Sequence, residues 1–83
     1  MNILFTNFNE ISDKINLFRR KGDAEGLIEI MKSSHDWMLR LDAAEALAQL
    51  GNEQGKNFLI SSLESSDEDV RDIAKEILER LPQ

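Results

Sequence analysis

A fifteen-residue stretch of this chain is echoed 31 positions later, and that offset limits the fold more than any other feature. Asp36-Trp37-Met38-Leu39-Arg40-Leu41-Asp42-Ala43-Ala44-Glu45-Ala46-Leu47-Ala48-Gln49-Leu50 lies over Asp67-Glu68-Asp69-Val70-Arg71-Asp72-Ile73-Ala74-Lys75-Glu76-Ile77-Leu78-Glu79-Arg80-Leu81. Asp36/Asp67, Arg40/Arg71, Ala43/Ala74, Glu45/Glu76, Leu47/Leu78 and Leu50/Leu81 are identical, while Leu39/Val70 and Ala46/Ile77 stay apolar. Six identities in fifteen aligned residues compare with about one expected from average composition. A fixed period of this size marks a stacked-repeat architecture, in which each unit buries its apolar face only against its neighbours.

The chain has 83 residues, enough for one domain near the lower size limit for folding without covalent staples. It contains no cysteine, so neither a disulfide nor a thiolate–metal site can contribute. Apolar residues make up 41 %, sufficient for a small helical core. The net charge of −6 argues against a nucleic-acid partner, because phosphate binding needs clustered Lys and Arg. The densest basic run, Arg19-Arg20-Lys21, falls at a helix C-terminus, where cations complement the helix dipole. The first residues carry no basic n-region and no signal-type apolar stretch, and no apolar run approaches the ~20 residues of a membrane span. The expectation is a soluble, cytoplasmic protein.

Periodicity and punctuation place five helices. The first covers about 7–21, with Phe8, Ile11, Ile15 and Phe18 on one face, and Gly22-Asp23 ends it. The second, about 24–32, turns Leu27, Ile28 and Met31 inward. After the break Ser33-Ser34-His35-Asp36 the third runs to Leu50 and stops at Gly51-Asn52. The fourth, about 54–64, buries Phe58, Leu59 and Leu63. The fifth follows Ser65–Asp69, where Ser66 and Asp69 have the spacing of a capping box, and ends before Pro82. Leu27-Ile28 and Phe58-Leu59 keep the 31-residue offset, whereas Gly22 and Gly51 are 29 apart, which predicts a longer loop before the fourth helix. The organisation expected is a single domain, with 1–22 an N-terminal segment and leading half-repeat, 23–51 a first repeat, and 52–83 a second repeat and C-terminal cap.

The phrase Asp-Glu-Asp-Val-Arg-Asp-Ile-Ala-Lys-Glu-Ile-Leu (67–78) resembles the second helix of a HEAT repeat, most closely the short phycobilisome-lyase-type variety. Leu39-Arg40, Ala43 and Leu47 repeat the pattern, and Leu50-Gly51-Asn52 is similar to the family's Leu-Gly-Asp exit. Trp37 and Glu68 stand where the family's turn proline would fall. The resemblance implies an all-α fold: a short right-handed α-α superhelix, a HEAT-like solenoid of about five helices or two and a half helical hairpins. Arg40 and Arg71 flank the packed seam near helix N-termini, and are expected to be tethered to Asp36, Asp67 or turn carbonyls.

The third helix is more apolar than one seam requires. Leu39, Ala43, Ala46, Leu47 and Leu50 form the seam, and Trp37, Leu41, Ala44 and Ala48 fall nearly opposite at ~100° per residue. The counterparts of those four in the fifth helix are Glu68, Asp72, Lys75 and Glu79, all charged. Three explanations fit. The middle helix is flanked on both sides; or Ile3, Leu4 and Phe5 fold over the stripe; or the stripe is an exposed protein-binding face anchored by Trp37, a residue type enriched at binding hot spots. The acidic fifth helix reads as the solvated end cap that terminal repeats need.

Enzymatic candidates fail on inventory. His35 beside Asp36 lacks a nucleophile and a third group, so it reads as a surface turn residue. Asp42 and Glu45 share one helical turn, but metal binding needs ligands converging from several elements. No cofactor is expected. The function expected is a non-enzymatic interaction module or adaptor that binds a protein through Trp37, Leu41, Ala44 and Ala48, with no nucleic-acid or membrane partner. The lyase resemblance implies an alternative, an accessory or relic acting on pigment-carrier proteins, and pairing of two greasy stripes would give a homodimer.

Overall fold

The computed structural model describes residues 8–82, of Phe8 the backbone only. Ile3, Leu4 and Phe5 lie outside the described residues. Five helices follow one another: α1 (Phe8–Lys21), α2 (Ala24–Ser33), α3 (Trp37–Gln49), α4 (Glu53–Ser62) and α5 (Glu68–Arg80). No strand occurs among the described residues.

Local chemistry sets each boundary. Gly22 and Gly51 take left-handed φ values of 71° and 82°, a region that a Cβ disfavours. The chain then folds back, Asp23 N donating to Phe18 O at 2.8 Å and Asn52 N to Leu47 O at 2.9 Å. These are matched Schellman closures, which satisfy the carbonyls that a helix end leaves unpaired. Asp23, Asn52, Asp36 and Asp67 are the N-caps of the helices that follow, each side chain accepting a backbone N–H of the first turn.

The cap of α5 differs from the sequence expectation. Asp67 Oδ1, not Ser66, accepts from Asp69 N at 2.9 Å, and Ser65 Oγ accepts from Asp67 N at 3.1 Å. Ser34, Asp36 and Met38 make the same pair of bonds at 3.2 and 2.9 Å. The capping bonds thus repeat those one unit earlier, and the Ser66–Asp69 box does not form.

The extra two residues also sit elsewhere than expected. The offset is 29 from Gly22/Gly51 through Gly26/Gly55 to Ser33/Ser62, whose hydroxyls bond Glu29 O and Phe58 O respectively. It becomes 31 at Ser34/Ser65 and Asp36/Asp67. The longer connection is therefore α4–α5, while Leu27, Ile28, Phe58 and Leu59 all pack in or against the core.

The helices pack as two layers, α1, α3 and α5 against α2 and α4, in a slab of 40 × 29 × 16 Å. Successive helices touch, and α3 touches every other helix. Ile15, Leu27, Met31, Leu39, Leu41, Leu47, Leu59 and Ile77 with four alanines form one continuous core. Leu50, expected in the seam, is exposed, because the C-cap turns it outward.

Candidate functional site

The apolar stripe of α3 is not an open face. Leu41 is 1 % exposed and Ala44 fully buried, while Trp37 and Ala48 are half-buried. The expectation of an exposed Trp37–Leu41–Ala44–Ala48 surface is corrected for Leu41 and Ala44. The cause is α4: Gly55 lies over Ala44 O, and a Cβ there would meet Leu47 Cβ at 2.6 Å and Ala48 N at 2.9 Å. With α1 and α2 on the opposite flank, the middle helix has two sides to bury. Its solvent-facing strip shrinks to Met38, Asp42, Glu45 and Gln49, none of them fully buried.

The four residues also part company. Trp37 and Leu41 line a depression at the turn end of the stack with Arg40, Phe58, Ser62, Ser65 and Val70. Ala44 lies beneath Gly55. Ala48 belongs to a separate groove at the other end, beside Gly51, Glu53 and Leu81.

Around Trp37 the geometry does form a site. A second depression between α2 and α4, lined by Met31, Lys32, Gln54, Asn57 and Ser61, shares Arg40 and Phe58 with the first. Together they make one cleft at the layer formed by α2 and α4. Arg40 fixes its floor: Nε donates to Met31 O at 2.7 Å and the guanidinium lies 5.1 Å from the Phe58 ring centroid, a cation–π distance. Arg71 Nη1 similarly donates to Ser65 O at 2.7 Å. Both arginines are thus held by carbonyls near the helix turns, the tether expected from sequence. Lys32, Asn57 and Ser61 were not singled out by sequence reasoning, and Phe58 was read only as a core residue. The available signal was Gln54, Asn57 and Ser61 at i, i+3, i+7, an uncharged polar strip in a chain otherwise rich in charge.

The opposite layer carries an ionic cross-link. Arg80 on α5 grips Glu45 on α3 with both arms, at 2.8 and 2.9 Å. The Arg80 side chain is 57 % exposed, so the link contributes little to stability. Burial first, and then the neighbouring Glu45 charge, push the Asp42 carboxyl above its ordinary value, with Arg80 offsetting part of the rise. The folded chain therefore holds this proton more tightly than the unfolded chain. Asp42 lowers stability at neutral pH, and the penalty fades as pH falls through the folded value toward the unfolded 3.8. Asp42→Asn is expected to stabilise the protein at pH 7 by about 0.5 kcal/mol, the scale of a like-charge pair on one helical turn. That corresponds to roughly 2–4 °C in Tm. Thermal melts of both proteins at pH 7 and pH 3 check it, the difference closing at the lower pH.

His35 is exposed in the α2–α3 turn. Among the described residues no group of three or more His, Asp or Glu is placed to hold a metal ion. No described helix is long and apolar enough to cross a membrane.

Helical hairpins repeated side by side, joined by matched glycine and aspartate turns around a shared middle helix, define an α-helical stacked-repeat protein. A family model described as HEAT repeats matches residues 23–82, well over half of the chain. The chain belongs to the HEAT-repeat family. Comparison with curated proteins and with solved structures gave no match. HEAT repeats generally mediate protein–protein interaction and are typically non-enzymatic scaffolds.

Proposed function

We propose that this chain is a cytoplasmic, non-enzymatic protein-interaction module that seats a segment of its partner in the cleft between α2 and α4. The supporting observation is the half-buried pair Trp37 and Phe58, set in a cleft whose floor Arg40 holds in place. Aromatic and arginine side chains at the centre of a concave patch carry a large share of binding energy in protein interfaces. Leu41 then serves as floor packing, and Ala44 supports α4 without meeting the partner.

A photo-cross-linker at position 57, inside the cleft, is expected to capture a discrete partner in cells. The same group at position 72, on the exposed face of α5, is expected to capture little. Trp37→Ala should remove the position-57 product at unchanged helical content. Equal yields from both positions, or a product indifferent to Trp37→Ala, would overturn the cleft as the binding surface.

A further inference from the structure

The charges around the cleft describe what it accepts. In a chain of net charge −6, its walls carry Lys32 and Arg40 and no carboxylate. Two other grooves each include an acid, Glu29 between α1 and α2 and Glu53 near the C-terminus. The α4 wall is uncharged throughout, presenting Gln54, Asn57, Phe58 and Ser61. The positions of the two cations have local reasons. Lys32 sits in the last turn of α2, where the dipole favours it, and Arg40 Nε is tied to Met31 O. Neither reason places a counter-ion in the cleft. Neither cation takes part in a salt bridge shorter than 4.0 Å among the described residues, and Arg40 makes its one described hydrogen bond through Nε, leaving both terminal nitrogens as donors.

We infer that the cleft binds a protein segment in which an Asp or Glu lies beside an aromatic or aliphatic residue. The carboxylate meets Lys32 and the free arm of Arg40, and the apolar neighbour packs on Trp37 and Phe58. This rests on the cleft reading above and names the chemistry of its occupant. A nucleic acid would need many phosphate contacts, and two cations in an acidic chain do not supply them. The net negative charge of the chain opposes an acidic segment at long range. Screening confines that repulsion to about 8 Å at physiological salt, so the local pair decides the choice at contact. The arrangement favours short acidic-apolar motifs over uniformly acidic partners.

The test uses the full chain and a phage-displayed library of random twelve-residue peptides. Selected peptides are expected to carry Asp or Glu next to a large apolar residue, and to shift the emission of Trp37, the sole tryptophan. Lys32→Glu should weaken the best of them about tenfold and Lys32→Gln about threefold, the range of an interfacial charge pair. A synthetic version with its acids changed to Asn or Gln should lose a similar factor. Asn57→Trp, which fills the exposed α4 wall, should abolish binding while the thermal melt is unchanged. Peptides that Asn57→Trp blocks, but that show no acidic enrichment and no response to Lys32→Glu, would overturn the acidic motif and leave the cleft standing. Peptides indifferent to Asn57→Trp, or a library yielding no binder, would overturn both.

Discussion

Gly55→Ala is expected to destabilise the protein by about 3 kcal/mol, although the same change in an exposed helix would help by nearly 1 kcal/mol. The added Cβ has nowhere to go. Ala44 O, Ala48 N and Leu47 Cβ all lie within 3 Å of its position, and two of these are backbone atoms of a helix packed on both flanks. Relief requires α4 to lift off α3, opening the contact that buries Leu59. Overpacking of this kind costs about 1–3 kcal/mol, and backbone neighbours put it at the upper end. Gly26 supplies the control. It stands 29 residues before Gly55, yet the atoms nearest its added Cβ are the Phe18 ring edge at 2.9 Å and Asp23 Oδ2 at 3.0 Å. Those are side-chain atoms, which give more readily than backbone even though Asp23 caps α2 and Phe18 packs on the core. Gly26→Ala should therefore fall within about 0.5 kcal/mol of the parent. Urea unfolding of the two variants checks the contrast, and equal midpoints would contradict the close approach of α4 to α3.

Leu41→Glu should leave the chain largely unfolded at pH 7. Truncating a buried leucine costs about 2–5 kcal/mol, and a carboxylate in that space adds the loss of its hydration with no partner at hand. A domain of this size holds roughly 4–12 kcal/mol in total. Circular dichroism at 25 °C would show most of the helical signal gone. Had the stripe faced solvent, the substitution would have been nearly silent, so this one variant separates the two geometries. A folded Leu41→Glu protein would return the stripe to the surface.

The difference between sequence and structure has a definite physical origin. Helix ends were readable to within a residue or two, because Gly22, Gly51, Asp36 and Asp67 act on their own neighbours. The repeat was readable because Arg40 and Arg71, Ala43 and Ala74 sit in equivalent packing environments. The direction from which α4 approaches is not a local property. Periodicity distinguishes two faces of α3 but does not say that both are covered. Pairing the small residues would have been the better guide: Ala44 and Ala48 on α3 and Gly55 on α4 together mark a close helix crossing. The same limitation hid the cleft, since Lys32, Arg40 and Asn57 come from three helices and share no spacing. The two extra residues were visible in the sequence but assigned to the wrong loop, because the helix bounds keep an offset of 29 to the end of α4 while the apolar pairs Leu27-Ile28 and Phe58-Leu59 already keep 31.

Because α3 contacts all four other helices, it acts as a keystone. In long solenoids each unit leans on the next, so blocks can melt while others persist. Here the middle helix lets go only by leaving α1–α2 and α4–α5 as isolated helix pairs, each too small to hold a core alone, and loss of order is all-or-none. A binding surface resting on that helix inherits its rigidity, so a docked segment does the adapting.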